Sequence, residues 1–397
     1  MFRWLALLSA ISLLVFDANI TQPAGLLGPW VLIFDLFIAI ALLIGLVYVN
    51  KADKEIYLTL ALIYRCILIS QPSFSNDTKR YFSDGLMWQS GLNPYLVAPT
   101  LSNLDHNSIT TIYPPLAEFF FWIISLGNSI SYFSLCFGFI EFVILISFFL
   151  RIKSKKSLQS FYFLSFLPLL VRETYREGHF EILPVYFLLL AILLRKNISQ
   201  YLFAGMSILI KFWGILLIPK FIKEKKIQAS LIYLFILSFA IFPLLYFSLS
   251  SAGLSGSEAY FSYWTFGQPL VILSNGLLPL KERIFIIQAV VILLATFLTL
   301  FYLLKPQAFI CYIQRLLCLL FFSPVLHPWY FLVFIIPALL SRKGLLWKAA
   351  LLLTGHNYIC YLDPSTFFLS WLPVLPLFLT FFKRPLRLKV AFDDGKV

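Results

Sequence analysis

From Trp30 to Val49 the chain reads WVLIFDLFIAIALLIGLVYV, twenty residues interrupted by one charge, Asp35. A helix rises about 1.5 Å per residue, so about 20 apolar residues cross the hydrocarbon layer of a bilayer. The run lacks the period-two alternation of a barrel strand, which leaves the helix as the way to satisfy its backbone in lipid. Working outward, similar runs fall at 2–16, 56–71, 131–150, 159–171, 181–194, 228–250, 284–304, 309–325, 328–341, 345–360 and 367–382. The sequence therefore predicts an all-α polytopic membrane protein with about 12 spans.

Composition agrees. Hydrophobic residues make up 60% of the 397 and charged residues 12%, against roughly 45–50% and about 25% in a soluble domain. One water-soluble core cannot hide that much apolar surface. The formal net charge is +13, but the surplus sits in short clusters between apolar runs, the pattern of cytoplasmic loops rather than of nucleic-acid binding. Cys66, Cys136, Cys311, Cys318 and Cys360 lie inside apolar stretches without metal-type spacing, so no disulfide framework or metal site is expected. Residues 1–16 resemble a secretion signal but lack a small-x-small cleavage site, and an uncleaved first span is expected.

Orientation follows the basic clusters. Lys51/Lys54, Arg151 to Lys156, Arg195/Lys196, Lys220 to Lys226, Arg342/Lys343 and Lys383/Arg384 belong to the cytoplasm. Both termini are then cytoplasmic, and 71–115, 172–180, 251–281 and 361–366 face the opposite side. Residues 116–127 must dip into the membrane or lie at its surface. Residues 200–222 run between two inside clusters and read as a short in-membrane hairpin with Lys211 at its turn. No internal repeat is visible, so a single transmembrane domain over 1–397 is the economical expectation.

The segment 71–115 is the most polar part of the chain and far longer than an ordinary connection of about 4–6 residues. It reads as an outer loop, and long ordered loops commonly carry function. Asp77 lies just past an apolar span, where a carboxylate can act as general base towards an approaching hydroxyl. The alternative is that Asp77 and Asp84 pair with Lys79 and Arg80 merely to order the loop. Inside the spans, Asp35 and Arg65 sit at similar depth, and buried membrane charges tend to pair, so an interhelical salt bridge is expected. Glu141 has no evident partner.

The block Ser75-Asn76-Asp77-Thr78-Lys79-Arg80-Tyr81-Phe82-Ser83-Asp84-Gly85, followed by Gly91-Leu92-Asn93-Pro94-Tyr95, resembles the first-loop signature of bacterial multi-spanning GT-C glycosyltransferases, mannosyltransferase-like enzymes that take a sugar from a polyprenyl phosphate. Tyr113-Pro114-Pro115-Leu116-Ala117, Gly178-His179-Phe180-Glu181, the stretch from Gly205 to Lys211-Phe212, and His327-Pro328-Trp329-Tyr330 follow in the family's order. Asn76 stands where many relatives carry the first of two acids, so Asp77 alone inherits the catalytic role. Glu181 replaces an Asp, and Phe180 a frequent Asn.

The resemblance implies a GT-C-type helical bundle with a catalytic outer loop, in the plasma (inner) membrane, its active site on the periplasmic or outer face. It implies inverting transfer of a hexose, above all mannose, from a polyprenyl-phosphate donor to a lipid-linked or envelope glycan acceptor, with Asp77 as base. Substrate and phosphate contacts would come from Arg80, Tyr81, Asp84, Arg172, Arg176, His179, Lys211 and His327. Arg forks suit phosphate oxygens, and Lys acts as a point charge. A cation as deep as Lys211 should meet an anion or a watery cavity, or else snorkel to the interface. Arg172, Arg176 and His179, near Glu173 and Glu177, also suit a surface salt-bridge cluster, and His327 suits a helix cap. No resident cofactor or metal is expected, and the partners are membrane lipids, the prenyl-linked donor and the acceptor. A transporter or flippase of lipid-linked sugars is the first rival, although here polarity gathers on one outer segment rather than at mid-membrane on related halves. A non-catalytic envelope-assembly scaffold is the second.

Overall fold

The computed structural model describes residues 2–19, 30–73, 75–99, 108–193 and 198–217, with scattered positions from 232 to 333. The chain runs α1 (Phe2–Asn19), α2 (Trp30–Tyr48), α3 (Lys54–Ile69), α4 (Asn76–Gln89), α5 (Pro115–Ser125), α6 (Ser131–Leu150), α7 (Lys155–Phe166) and α8 (Pro168–Val171). A π-helical turn (Arg172–Arg176), α9 (Ile182–Leu193), α10 (Ile198–Lys211) and a 3-10 turn (Trp213–Leu217) follow. The fold is all-α, with no strand among the described residues.

Helices occupy the first six predicted spans. The spans at 228–250, 284–304, 309–325, 328–341, 345–360 and 367–382 lie wholly or mostly outside the described residues. Among the described residues one helix, α6, with a mean hydropathy of 2.4, is long and apolar enough to cross a bilayer by length and composition. Residues 76–89, expected as loop, form α4. Ser75 caps it by accepting from Asp77 N at 3.1 Å, and Arg80 and Asp84 pair one turn apart. Such local bonding outweighs the Asn, Asp, Ser and Gly content that made the segment read as loop.

The chain divides into two compact units: residues 1–74, 138–177 and 327–397, and residues 75–137 and 178–326. In the first unit α1 packs on α2 and α3, and α7 on α2 and α3. Small residues make the close approach possible. Ala6, Ala10 and Ala41 are buried, and Gly45 leaves no room for a Cβ beneath the Tyr162 ring. Tyr162 donates to the Ala6 carbonyl at 3.0 Å. The outward faces are also apolar: Trp4, Leu8, Ile11 and Val15 on α1, and Phe37, Ile40, Leu43 and Val47 on α2, are exposed at helical spacing.

Among the buried charges of this unit, Arg65 and Glu141 pair. Arg65 donates to Glu141 twice, Nε to Oε2 at 2.9 Å and Nη2 to Oε1 at 2.6 Å. Its remaining donors reach the carbonyls of Ala61 and Ser165, both at 3.0 Å, and of Leu164 at 3.2 Å. The last two are available because Pro168 breaks the helix. Pro has no N–H to give Leu164, and Leu167 before it turns extended, with ψ 105°. The expected Asp35–Arg65 bridge is thus corrected to Arg65–Glu141: all five guanidinium donors are engaged elsewhere, and the Asp35 side chain lies outside the described residues.

In the second unit α4 packs on α5, α9 on α10, and α10 on α5. Gly85 lies so close to the Phe121 carbonyl and Ser125 that no Cβ fits. The α10 helix ends at Lys211, where Phe212 takes the left-handed φ of 57° and the 3-10 turn folds back, Gly214 lying against the Ala204 carbonyl. The turn falls where the hairpin over 200–222 is expected to reverse, and the stretch 218–222 lies outside the described residues.

Candidate functional site

The second unit assembles most of the motif residues around one aromatic cluster. Tyr81 from α4 stacks on Phe121 from α5 at 4.6 Å between centroids, and meets Phe180 and Tyr113 edge-on at 5.1 and 5.3 Å. Tyr113 contacts Phe121 at 5.3 Å and Phe180 at 5.4 Å, and Phe121 contacts Phe180 at 5.4 Å. Each ring therefore touches the other three, which joins three segments far apart in sequence: α4, the stretch from Tyr113 into α5, and the residues before α9. Edge-on and offset contacts of this kind add about 0.5–1.5 kcal/mol per pair beyond burial.

Gly178, with φ 66°, launches a tripeptide that serves three parts of the site. His179 Nε2 lies 2.7 Å from Ser75 Oγ, the oxygen that caps α4 beside Asp77. Phe180 enters the aromatic cluster. Glu181, just before α9, forms an ion pair with Lys211 at the end of α10, and the Lys211 ammonium also stands 5.0 Å above the Phe180 ring. Negative charge at a helix start and positive charge at a helix end both complement the helix dipoles.

Asp77 is half-buried in the first turn of α4. No described group donates a hydrogen bond to its carboxylate, while it interacts electrostatically with Lys211 and Tyr113. Burial first, and then the charge of Asp77, pushes the Tyr113 phenol well above its ordinary range. Tyr113 therefore stays neutral and can offer a proton only as a hydrogen bond. A carboxylate with open lone pairs near an ammonium can accept a proton from an incoming hydroxyl while an anion gathers beside it.

Several expected ligand contacts are corrected to bracing roles. Tyr81 is buried in the ring cluster, and Asp84 is buried with both oxygens held by Arg80 Nε at 2.9 and 3.0 Å. Neither presents surface to a substrate, and Arg80 gives its Nε to Asp84. Lys79 donates to Asn76 Oδ1 at 2.9 Å rather than to Asp77. His179 is buried against Ser75. Arg172 and Arg176 belong to the first unit and are buried there, not on its surface. Arg176 donates to the Pro72 carbonyl at 3.3 Å, with Glu177 at 3.7 Å. His327, also of the first unit, packs edge-on to Tyr330 at 5.5 Å.

Sequence reasoning missed Glu118. It is buried in the first turn of α5, accepting from Thr111 Oγ1 at 2.6 Å and Trp88 Nε1 at 3.0 Å. Burial, followed by the nearby charge of Asp84, pushes its carboxyl well above the ordinary 4.5. Burial also raises Asp84, against the opposing pull of Arg80. The signal for Glu118 was an acid three residues after Pro115 in an otherwise apolar helix. Next to it, 91–95 forms a turn, with Gly91 at φ 74° and Asn93 Oδ1 accepting from Tyr95 N at 2.9 Å. No group of three or more His, Cys, Asp or Glu side chains that could hold a metal occurs among the described residues.

No family model, curated protein or solved structure matches the chain. The functional reading therefore rests on residues and geometry.

Proposed function

We propose that this chain is a multi-pass plasma-membrane glycosyltransferase of the GT-C type. It transfers a hexose, most readily mannose, from polyprenyl phosphate to a lipid-linked or envelope glycan acceptor on the outer face. The observation that carries the proposal is the half-buried Asp77 carboxylate, left open to a donor and electrostatically linked to Lys211, on a helix start that Ser75 and His179 fix. The membrane reading is supported by helices that bury the Arg65–Glu141 pair and carry exposed large apolar side chains on α1 and α2.

In the proposed reaction an acceptor hydroxyl approaches the anomeric carbon from the face opposite the phosphate. Asp77 takes the hydroxyl proton as the new glycosidic C–O bond forms and the bond from carbon to phosphate oxygen breaks. Prenyl phosphate leaves as an anion, and Lys211 balances its charge. The rivals draw less support. A transporter needs uncommitted polar groups along its path, whereas Arg65 and Glu141 satisfy each other, and a scaffold needs no open carboxylate at residue 77.

The test is transfer from a labelled polyprenyl-phosphate hexose by the purified wild type and Asp77→Asn. Loss of at least about a hundredfold in rate, with unchanged folding, is expected if the carboxylate is the base. Equal rates in the two proteins overturn that role.

A further inference from the structure

We infer that Glu181 is a positioning residue for the anion site, a resident counter-charge that keeps the Lys211 ammonium protonated and fixes where it points. The inference rests on the proposed function, since it takes Lys211 to be the group that meets a phosphate ester. It adds the residue that prepares Lys211 for that task.

The geometry carries it. Lys211 ends α10, immediately before the left-handed Phe212, so backbone conformation fixes where its side chain starts. A long ammonium stem still has many rotamers, and two contacts select one. The Phe180 ring lies beneath the ammonium and Glu181 Oε1 lies against it. Glu181 is itself buried, and its second oxygen, Oε2, has no hydrogen-bond partner among the described residues. A purely structural pin would be expected to satisfy both oxygens of a buried carboxylate. This one gives a single oxygen to Lys211 and leaves the other as an acceptor open to a water or hydroxyl that accompanies the ligand.

The charges facing Lys211 explain why such a residue is needed. A cation in a poorly solvated place sheds its proton unless an anion stands by it. Asp77 acts on Lys211 through space, but in the proposed reaction Asp77 becomes neutral when it takes up the hydroxyl proton. Glu181, in direct contact with the ammonium, is the counter-charge that stands there before the leaving phosphate supplies its own. His179, on the other side of Phe180, is turned to Ser75 and does not replace it.

The experiment uses the full-length protein in lipid nanodiscs, with a short-chain prenyl phosphate and the matching neutral prenyl alcohol as probes, titrated from pH 6 to 9. Wild type, Glu181→Gln, Glu181→Asp, Lys211→Met and Asp77→Asn are compared. For Glu181→Gln, phosphate binding is expected to weaken severalfold near pH 7.5 and to approach a limit of about tenfold as pH rises. Alcohol binding should stay within about twofold, and Glu181→Asp should fall between Gln and wild type. A structural pin would instead weaken both probes together without moving the pH profile, and that result overturns the inference. So does phosphate binding by Glu181→Gln equal to wild type at every pH. If Lys211→Met binds the phosphate as well as wild type, the anion site itself is wrong and the inference falls with it. Asp77→Asn separates the two claims: unchanged transfer removes the base, while the pH shift in Glu181→Gln still stands as evidence for the counter-charge.

Discussion

His179 Nε2 and Ser75 Oγ lie 2.7 Å apart, and the same Ser75 oxygen accepts the Asp77 amide at 3.1 Å. A residue before α9 thus reaches the backbone amide of Asp77 through one hydroxyl. Ser75→Ala should cost about 0.5–2 kcal/mol of stability through loss of the cap and lower the transfer rate with little change in donor affinity. Ser75→Asp should restore the cap but not the contact to His179, so its stability recovers more than its rate. Thermal unfolding and steady-state transfer, measured on the same preparations, check both halves.

Arg65 and Glu141 form a buried pair joined by two hydrogen bonds. Removing either alone leaves an uncompensated charge, at a cost of about 3–5 kcal/mol. Arg65→Met and Glu141→Leu should each reduce folded yield severely, and the double variant should recover a large part of the loss. A double-mutant cycle on detergent unfolding measures the coupling, and additive losses would contradict the pairing.

Glu118 gives a pH dependence whose sign is fixed. Burial raises its folded-state pKa above the unfolded value of 4.5, so the folded state holds the proton more tightly. Its contribution is fully present below pH 4.5 and is lost as pH rises through the raised folded value. Glu118→Gln should flatten that slope and stabilise the protein at neutral pH. The amide can accept from Trp88 and donate to Thr111, whose hydroxyl is then free for Asp84. Unfolding midpoints between pH 5 and 8 for the two proteins test this.

Tyr81 stands in the middle of the ring cluster. Tyr81→Ala should destabilise the second unit by about 3–5 kcal/mol, whereas Tyr81→Phe keeps the packing and should leave the donor KM within about twofold. A large KM change in Tyr81→Phe would return the residue to the substrate.

The apolar runs of α2 and α6 were readable directly, because length and composition are summed along the chain. Helix α4 was not: its stability comes from Ser75 and the Arg80–Asp84 pair, local bonds that leave no periodic apolar signature. The partner of Arg65 was unreadable for a different reason. Depth along a helix was available from sequence, but azimuth was not, and it is Glu141 that lies on the side Arg65 faces. At the site, residue types pointed to Asp77 and Lys211, while the bracing roles of Tyr81 and Asp84 depend on burial, which only packing determines.

The break at Pro168 has a consequence for the order of assembly. Arg65 finds its carboxylate 76 residues downstream, and its farthest carbonyl acceptor 100 residues downstream. Ribosomes add about 5–20 residues per second, so this guanidinium is synthesised roughly 5–20 seconds before its last acceptor exists. Residues 75–137 emerge entirely within that interval. The α4–α5 ring cluster in turn needs Phe180, made later still than Ser165, so both pairings close only after the chain has passed that point.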